Sequence, residues 1–382
     1  MIRRRSLLAA VPAVLLAACD SAEPPVRKEK KAPPPSAWRL DYTGESRSAG
    51  IQHVVPVSAD EAWALEMEHT GAYTLLHRDA DGWRPEQLPP AMTAARGENA
   101  LSLGASAPDD VWLFALTGAG GAHWDGARWR TVDLPPGLLF RTAVGPTDVW
   151  AMSNQRRSVW RYDGARWTEH KLPIWVDAVA GSAPDDVWAV GTEAVTEGTP
   201  QAAAMHWDGR TWELTKTPSF TYPEPAPPEE ATGLRTVAAV GPREALAMGL
   251  HSYNHGEDPD IVEPPEETLL LRWDGVRWTQ LPGIPRQTSF NDSVTSDGAG
   301  GAVALGWWHW PAGAGKPSKI GRPPLVLGHY PTLSKGDRTQ RVYPSQLAHV
   351  PGTRHVLAAA SIGRTGRKGF TRPAVLRYDA GG

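Results

Sequence analysis

Cysteine is almost absent: Cys19 is the only thiol in 382 residues. A single thiol excludes an intrachain disulfide framework and any zinc site built on paired thiolates. Phenylalanine is scarce, five residues against 18 tryptophans, so the aromatic part of any core rests on indole. A surplus of one charge is missing too. The net charge is −3, which gives no basic footprint for nucleic acid, and no nucleic-acid partner is expected. Long apolar runs are limited to Leu7–Ala18, too short to span a bilayer comfortably. The strings HExxH and GxSxG do not occur. Gly313-Ala314-Gly315-Lys316-Pro317-Ser318 imitates a phosphate loop, but Trp310 stands where its first glycine belongs and Pro317 where Ser or Thr must follow the lysine. No catalytic residue and no cofactor is therefore assigned.

The N-terminus is a targeting segment and lies outside the fold. Arg3, Arg4 and Arg5 form a positive stretch ahead of the apolar run, giving a signal peptide over residues 1–18. The run ends Leu16-Ala17-Ala18-Cys19, which resembles the bacterial lipobox. That resemblance implies lipidation of Cys19, which would become the first mature residue and anchor the chain to the outer side of a bacterial membrane. Arg4-Arg5-Ser6-Leu7-Leu8 also resembles a twin-arginine signal. An ordinary n-region with three arginines looks much the same, so both export routes stay open. Residues 20–36, DSAEPPVRKEKKAPPPS, contain almost no large apolar side chain. They cannot bury enough surface to fold and are expected to form an extended tether behind Cys19, of roughly 3 Å per residue.

What the sequence does have is a repeat. AVAGSAPDDVWAVG followed by AAAMHWDGRTWELTKTP around Trp188 returns as GASAPDDVWLFA…AHWDGARWRTVDLP around Trp112 and AVGPTDVWAMS…VWRYDGARWTEHKLP around Trp150. Each copy holds two pairs of short apolar runs divided by turn residues. About four strands per unit, a to d from the axis outward, make one propeller blade. Pro108-Asp109-Asp110 suits the a–b turn and Asp125-Gly126 the c–d hairpin. Tryptophans at the start of strands b and d give each blade plates to stack on its neighbours.

Strand-b anchors fall at Trp63, Trp112, Trp150, Trp188, Leu246, Val303 and Val356. The c–d turns fall at Asp81-Gly82, Asp125-Gly126, Asp163-Gly164, Asp208-Gly209 and Asp274-Gly275, in degenerate form after Tyr330, and last at Tyr378-Asp379. The expectation is an all-β, seven-bladed β-propeller over residues 37–382. The last unit stops where its d strand should begin, while Trp38-Arg39-Leu40-Asp41-Tyr42 reads as a d strand ahead of any a strand. The N-terminal strand is therefore expected to close the C-terminal blade. These motifs resemble the secreted bacterial propellers built from tandem DVWAVG…HWDGxxW repeats, loosely similar to kelch and tectonin-type propellers. The resemblance covers residues 37–382 and implies fold, not activity. The Asp-box of sialidases differs, since Asp163 and Gly164 are adjacent here.

Antiparallel strands put the a–b and c–d turns on one face, and the b–c and d–a connections on the other. The first set hardly varies in length. Every long insertion is expected in the second set: 217–232, 251–267, 307–324 and 361–372. Loops carried on a rigid scaffold are where binding residues concentrate. Trp307, Trp308, His309 and Trp310 are expected to line a ligand site there, with Arg364 and Arg367 adding positive charge; the same indoles also suit a blade cap. No metal site is assigned. The nearest approach is His251, His255 and Asp258, with Glu257 and Asp260, a composition that acidic loops share. The function expected is a membrane-anchored, extracytoplasmic and monomeric module binding an envelope protein or glycan through the long-loop face. The alternatives are a polysaccharide-active hydrolase or lyase, with carboxylates meeting over the axis, and a structural subunit of an envelope complex.

Overall fold

The computed structural model describes residues 37–382 apart from 99, 116–119, 146–147, 154, 196, 225, 242, 254–264, 284–292, 314–315, 329, 367–368 and 382. Cys19, the signal peptide and the tether lie outside the described residues, as do His255, Glu257, Asp258, Asp260 and Arg367.

The chain forms a seven-bladed β-propeller with four antiparallel strands in every blade. After β1 (Arg39–Thr43), blade one is β2 (Ala49–Pro56), β3 (Ala62–Glu68), β4 (Tyr73–Asp79) and β5 (Gly82–Glu86). Blade two is β6 (Leu101–Ala107), β7 (Asp110–Ala115), β8 (Gly121–Trp124) and β9 (Trp129–Val132). Blade three is β10 (Leu138–Gly145), β11 (Asp148–Ser153), β12 (Ser158–Tyr162) and β13 (Trp167–Lys171), and blade four is β14 (Ile174–Ala183), β15 (Asp186–Glu193), β16 (Ala202–Trp207) and β17 (Trp212–Thr215). Blade five is β18 (Ala231–Gly241), β19 (Glu244–Ser252), β20 (Glu267–Trp273) and β21 (Trp278–Gln280). Blade six is stunted: β22 (Val294–Ser296), β23 (Ala302–Ala304), β24 (Trp308–Trp310) and β25 (Ser318–Lys319). Blade seven is β26 (Arg341–His349), β27 (His355–Arg364), β28 (Phe370–Asp379) and, as its outermost strand, β1. The first strands of successive blades touch one another, and β26 touches β2, so the ring is closed.

Closure by the N-terminal strand is as the sequence implies. β1 pairs antiparallel with β28 from Arg39↔Arg377 to Thr43↔Ala374, with a bulge at Asp41. Trp38 is fully buried among Val303, Ile320, Val356, Phe370 and Tyr378, and is no part of an exposed tether. At the inner rim the Val54 N–H donates to Gln346 Oε1 at 2.9 Å and the Ser345 hydroxyl donates to the Ile51 carbonyl at 3.2 Å, tying blade seven to blade one.

The repeated residues explain the blade-to-blade contacts. Asp110 is buried and accepts from the Trp112 indole (2.7 Å), His123 Nε2 (2.8 Å) and the Ser106 hydroxyl. His123 stacks on Trp112, with ring centroids 4.2 Å apart. The acid–histidine pair stacked on the strand-b indole recurs as Glu61–His77–Trp63 and Asp186–His206–Trp188, although there the indole N–H does not bond to the acid. In blade three Arg161 replaces the histidine, paired with Asp148 and lying over Trp150. Strand-b indoles then meet aromatic rings of the next blade's c and d strands, edge-on where Trp150 meets Trp207 and Trp212 and Trp188 meets Trp278, and tilted where Trp188 meets Trp273. Edge-to-face indoles add to the plain burial of area. In the c–d hairpins the aspartate carboxylate accepts the N–H groups two and three residues on, as Asp208 does from Arg210 and Thr211 at 2.8 Å, and the glycine takes the left-handed φ the turn needs, +94° at Gly209. Those N–H groups hold the Asp125 carboxyl down to about 2 and keep Asp163, Asp208 and Asp274 below the usual range.

Candidate long-loop face

The b–c and d–a connections share one face, and two boundaries expected on it are corrected. Residues 307–324 are not an inserted b–c loop. Leu305 and Gly306, both with left-handed φ (56° and 68°), make a tight b–c turn, so Trp308, His309 and Trp310 are strand c. The c–d turn of blade six is then 311–317, and Tyr330 belongs to the long 320–340 connection into blade seven. Residues 361–372 are likewise mostly sheet. The β27–β28 register runs out to Arg364↔Phe370 and leaves only a short tip.

These boundaries redefine the expected indole platform. Trp310 is buried, packs on Leu246 and Met248, and donates its indole N–H to the Pro282 carbonyl at 3.0 Å. His309 is buried as well. Its Nε2 lies 2.8 Å from Asp297 Oδ2, and its Nδ1 is 3.0 Å from the Tyr378 hydroxyl across the blade six–seven seam. Burial pushes the Asp297 carboxyl up, but the bonds from His309 and from the N–H groups of Ala299 and Gly301 outweigh it and leave it lowered. Trp307 is half-buried against the Trp38 cluster, and Trp308 is half-buried with Lys319 Nζ 5.8 Å from its ring centre. The four residues therefore serve mainly as the cap of a short blade. Arg364 is not a free cation either: its Nε is 3.6 Å from Oδ1 of the buried Asp337, and its guanidinium lies over Phe370.

His251 is a packing residue. It is buried, its Nε2 is 2.7 Å from Glu230 Oε1, and the Tyr222 ring stacks on it at 3.9 Å. The unit pins the 216–230 connection to the end of β19. Among the described residues no three side chains of ligand type come together as a metal site. Glu66 is pushed above the usual carboxylate range by burial, with Glu68 adding to the shift, and sits beside the Tyr42 hydroxyl in the seam between blades one and seven.

The exposed apolar side chains were not foreseen. Among the described residues the large hydrophobics with the most exposure are Trp175, Val195, Leu214, Val276, Leu325, Leu327, Tyr330, Leu333 and Tyr343. All but Leu214 and Val276 lie on the long-loop face: Val195 in a b–c loop, Trp175 and Tyr343 at the outer ends of a strands, and the rest in the 320–340 connection. Trp175 is covered on one side by Arg157, 5.2 Å from its ring centre. The sequence signal available was an apolar run, Leu325-Val326-Leu327, outside any strand pattern and next to prolines.

No protein-family model matches the chain. A search of curated proteins finds no match. Solved structures similar to it include YCF48 bound to D1 peptide, at 15% identity and a TM-score of 0.50, covering 89% of this chain and 96% of that one. Others are the WD40 β-propeller domain of Doa1 (10% identity, TM-score 0.48, 89% and 96% covered) and a polysaccharide lyase of family PL25, an ulvan lyase (10%, 0.47, 88% and 97%). At such identities the likeness is one of fold, and the fold is that of the β-propellers.

Proposed function

We propose that this protein is an exported, lipid-anchored propeller that binds an envelope protein or glycan through its long-loop face. The observation that carries the reading is the distribution of exposed apolar side chains: seven of the nine large ones named above occupy that face, while the short-turn face shows Val276. Clustered apolar exposure costs free energy in a free monomer and marks interaction surfaces. The rigid ring below holds the loops in place, so less ordering entropy is lost on binding. The lipobox-like Leu16–Cys19 string supports attachment at Cys19, and residues 20–36 supply the tether. YCF48, a structure of the same fold, is bound to a peptide.

The test is site-specific photo-crosslinking in cells with the full chain. A diazirine side chain at Leu327 is expected to give a discrete adduct, and the same group at Val276 is not. Equal labelling from both positions, or adducts from Val276 only, would overturn the assignment of the face.

A further inference from the structure

We infer that the connection between blades six and seven docks an acidic, amphipathic segment of a partner protein; this rests on the binding role of the long-loop face and names the chemistry of what binds there. Between residues 319 and 341 the chain carries five exposed cations, Lys319, Arg322, Lys335, Arg338 and Arg341, in a protein whose net charge is −3. None of the five forms an ion pair with a described residue. The one acid in the stretch, Asp337, is fully buried and faces Arg364, so it neutralises nothing outside. Set among these cations are Leu325, Leu327, Tyr330, Leu333 and Tyr343, each between 39% and 50% exposed.

The surface is built, not merely uncovered. Val326 is buried, and its N–H and C=O both bond to the Gln340 side-chain amide, at 2.9 and 3.0 Å. The Ser334 N–H and hydroxyl both donate to Asp337 Oδ2 at 2.8 Å. Gly328 lies against Asp337 and Phe370 so closely that a side chain there would collide, while Arg341 pairs with Gly363 and Tyr343 with Ser361. The connection is thus held against Arg364 and Phe370, at the outer end of the β27–β28 hairpin, and leaves Leu325, Leu327 and Leu333 exposed. A pre-organised surface keeps more of its gross interaction energy as affinity.

Apolar centre and cationic rim together specify the occupant. A neutral glycan would find rings at Tyr330 and Tyr343 but has no use for five cations that form no ion pair with a described residue. An anionic bilayer would satisfy the charge, but interfacial anchoring buries a continuous apolar face roughly 5 to 10 Å deep, and none of these five side chains exposes more than half its surface. A peptide with leucine or phenylalanine between glutamates fits both features, and its charges would also speed encounter.

The experiment uses the full chain carrying Cys19→Ser, so that no acyl anchor intervenes, and a fluorescein-labelled peptide of alternating Glu-Leu-Glu-Phe units. Controls are the Lys-Leu-Lys-Phe and Glu-Ser-Glu-Ser peptides and vesicles rich in anionic phospholipid. The acidic apolar peptide is expected to bind, and to weaken at least tenfold with R338E/R341E, with L325S/L327S and with added salt. All four positions are exposed, so melting temperatures should stay level, which separates lost docking from lost fold. Binding unchanged by charge reversal, equal binding of the Lys-Leu-Lys-Phe peptide, or binding to vesicles without binding to peptide would each overturn the inference. A crosslink from Leu327 in cells combined with no peptide binding leaves the face standing and removes only the partner chemistry.

Discussion

Trp38 donates its indole N–H to the carbonyl oxygen of Gly306, 2.9 Å away and 268 residues further along the chain. The start of the closing strand is thereby fastened to the b–c turn of blade six as well as to blade seven. Trp38→Ala should cost about 3 to 5 kcal/mol by burial lost and cavity made. Trp38→Phe, which loses chiefly the bond and part of the ring, should cost about 1 to 2 kcal/mol. Deleting residues 20–34 should cost nearly nothing. Urea denaturation of the three variants checks the order, and equal midpoints for Trp38→Ala and the deletion would contradict it.

His53 on β2 sets a pH limit. Burial pushes its imidazole down to about 4, and the bond to the Leu101 carbonyl only partly offsets that. The folded form therefore resists a proton that the unfolded chain accepts near 6.5. Stability is complete above that value and falls as pH drops from 6.5 towards 4, by about 2 kcal/mol since the ring keeps some exposure. His53→Gln should flatten this part of the stability–pH curve; a wild-type curve already flat between those values would count against the assignment.

Asp110 answers three donors from a buried position. Asp110→Ala leaves the Ser106 hydroxyl, the Trp112 indole and the His123 ring unpaired, and should cost about 3 to 5 kcal/mol. Asp110→Asn keeps the shape and part of the bonding and should cost less. Thermal melting distinguishes the two, provided both variants are compared at a pH above 7.

Gly191 faces the bulge at Asp177, and a Cβ there would lie 1.8 Å from the Trp175 carbonyl oxygen. Gly249 stands in the same relation to the Gly233 carbonyl, at 1.9 Å. Gly191→Ala must therefore push the bulge apart and should lower stability by several kcal/mol. Gly241→Ala, with open space around it, should stay within about 0.5 kcal/mol. Equal melting temperatures would show that the bulge yields without cost.

Cys19→Ser should move the protein from the membrane fraction to the soluble exported fraction, because no other thiol can carry lipid. Unchanged membrane association on fractionation would refute attachment through Cys19.

Most of the ring was legible because its signals are local. Asp-Gly pairs mark hairpins, and Asp-Val-Trp marks the start of a b strand, each within a few residues. The closing strand was legible because Trp38–Tyr42 copies a d strand out of order. Blade six was misread for a physical reason: a three-residue strand such as Trp308–Trp310 is too short to show alternation, and beside Gly306 and Gly313 it looks like loop. The apolar run Leu325-Val326-Leu327 is visible in the sequence, but which of its side chains faces outward is not, since that depends on Gln340, a residue placed by tertiary contact.

The pairing of β1 with β28 has a consequence for synthesis. A chain made from its N-terminus produces the closing strand first and that strand's only sheet partner last, so β1 must wait through six complete blades before it can dock. A nascent chain interrupted before Phe370 holds every element of blades one to six yet presents an unpaired edge at β1, with Trp38 lacking its Phe370 and Tyr378 neighbours and keeping only those of blade six and β27; an open edge is the kind of surface that proteases and chaperones bind. The ring can therefore close only after β28 has been made.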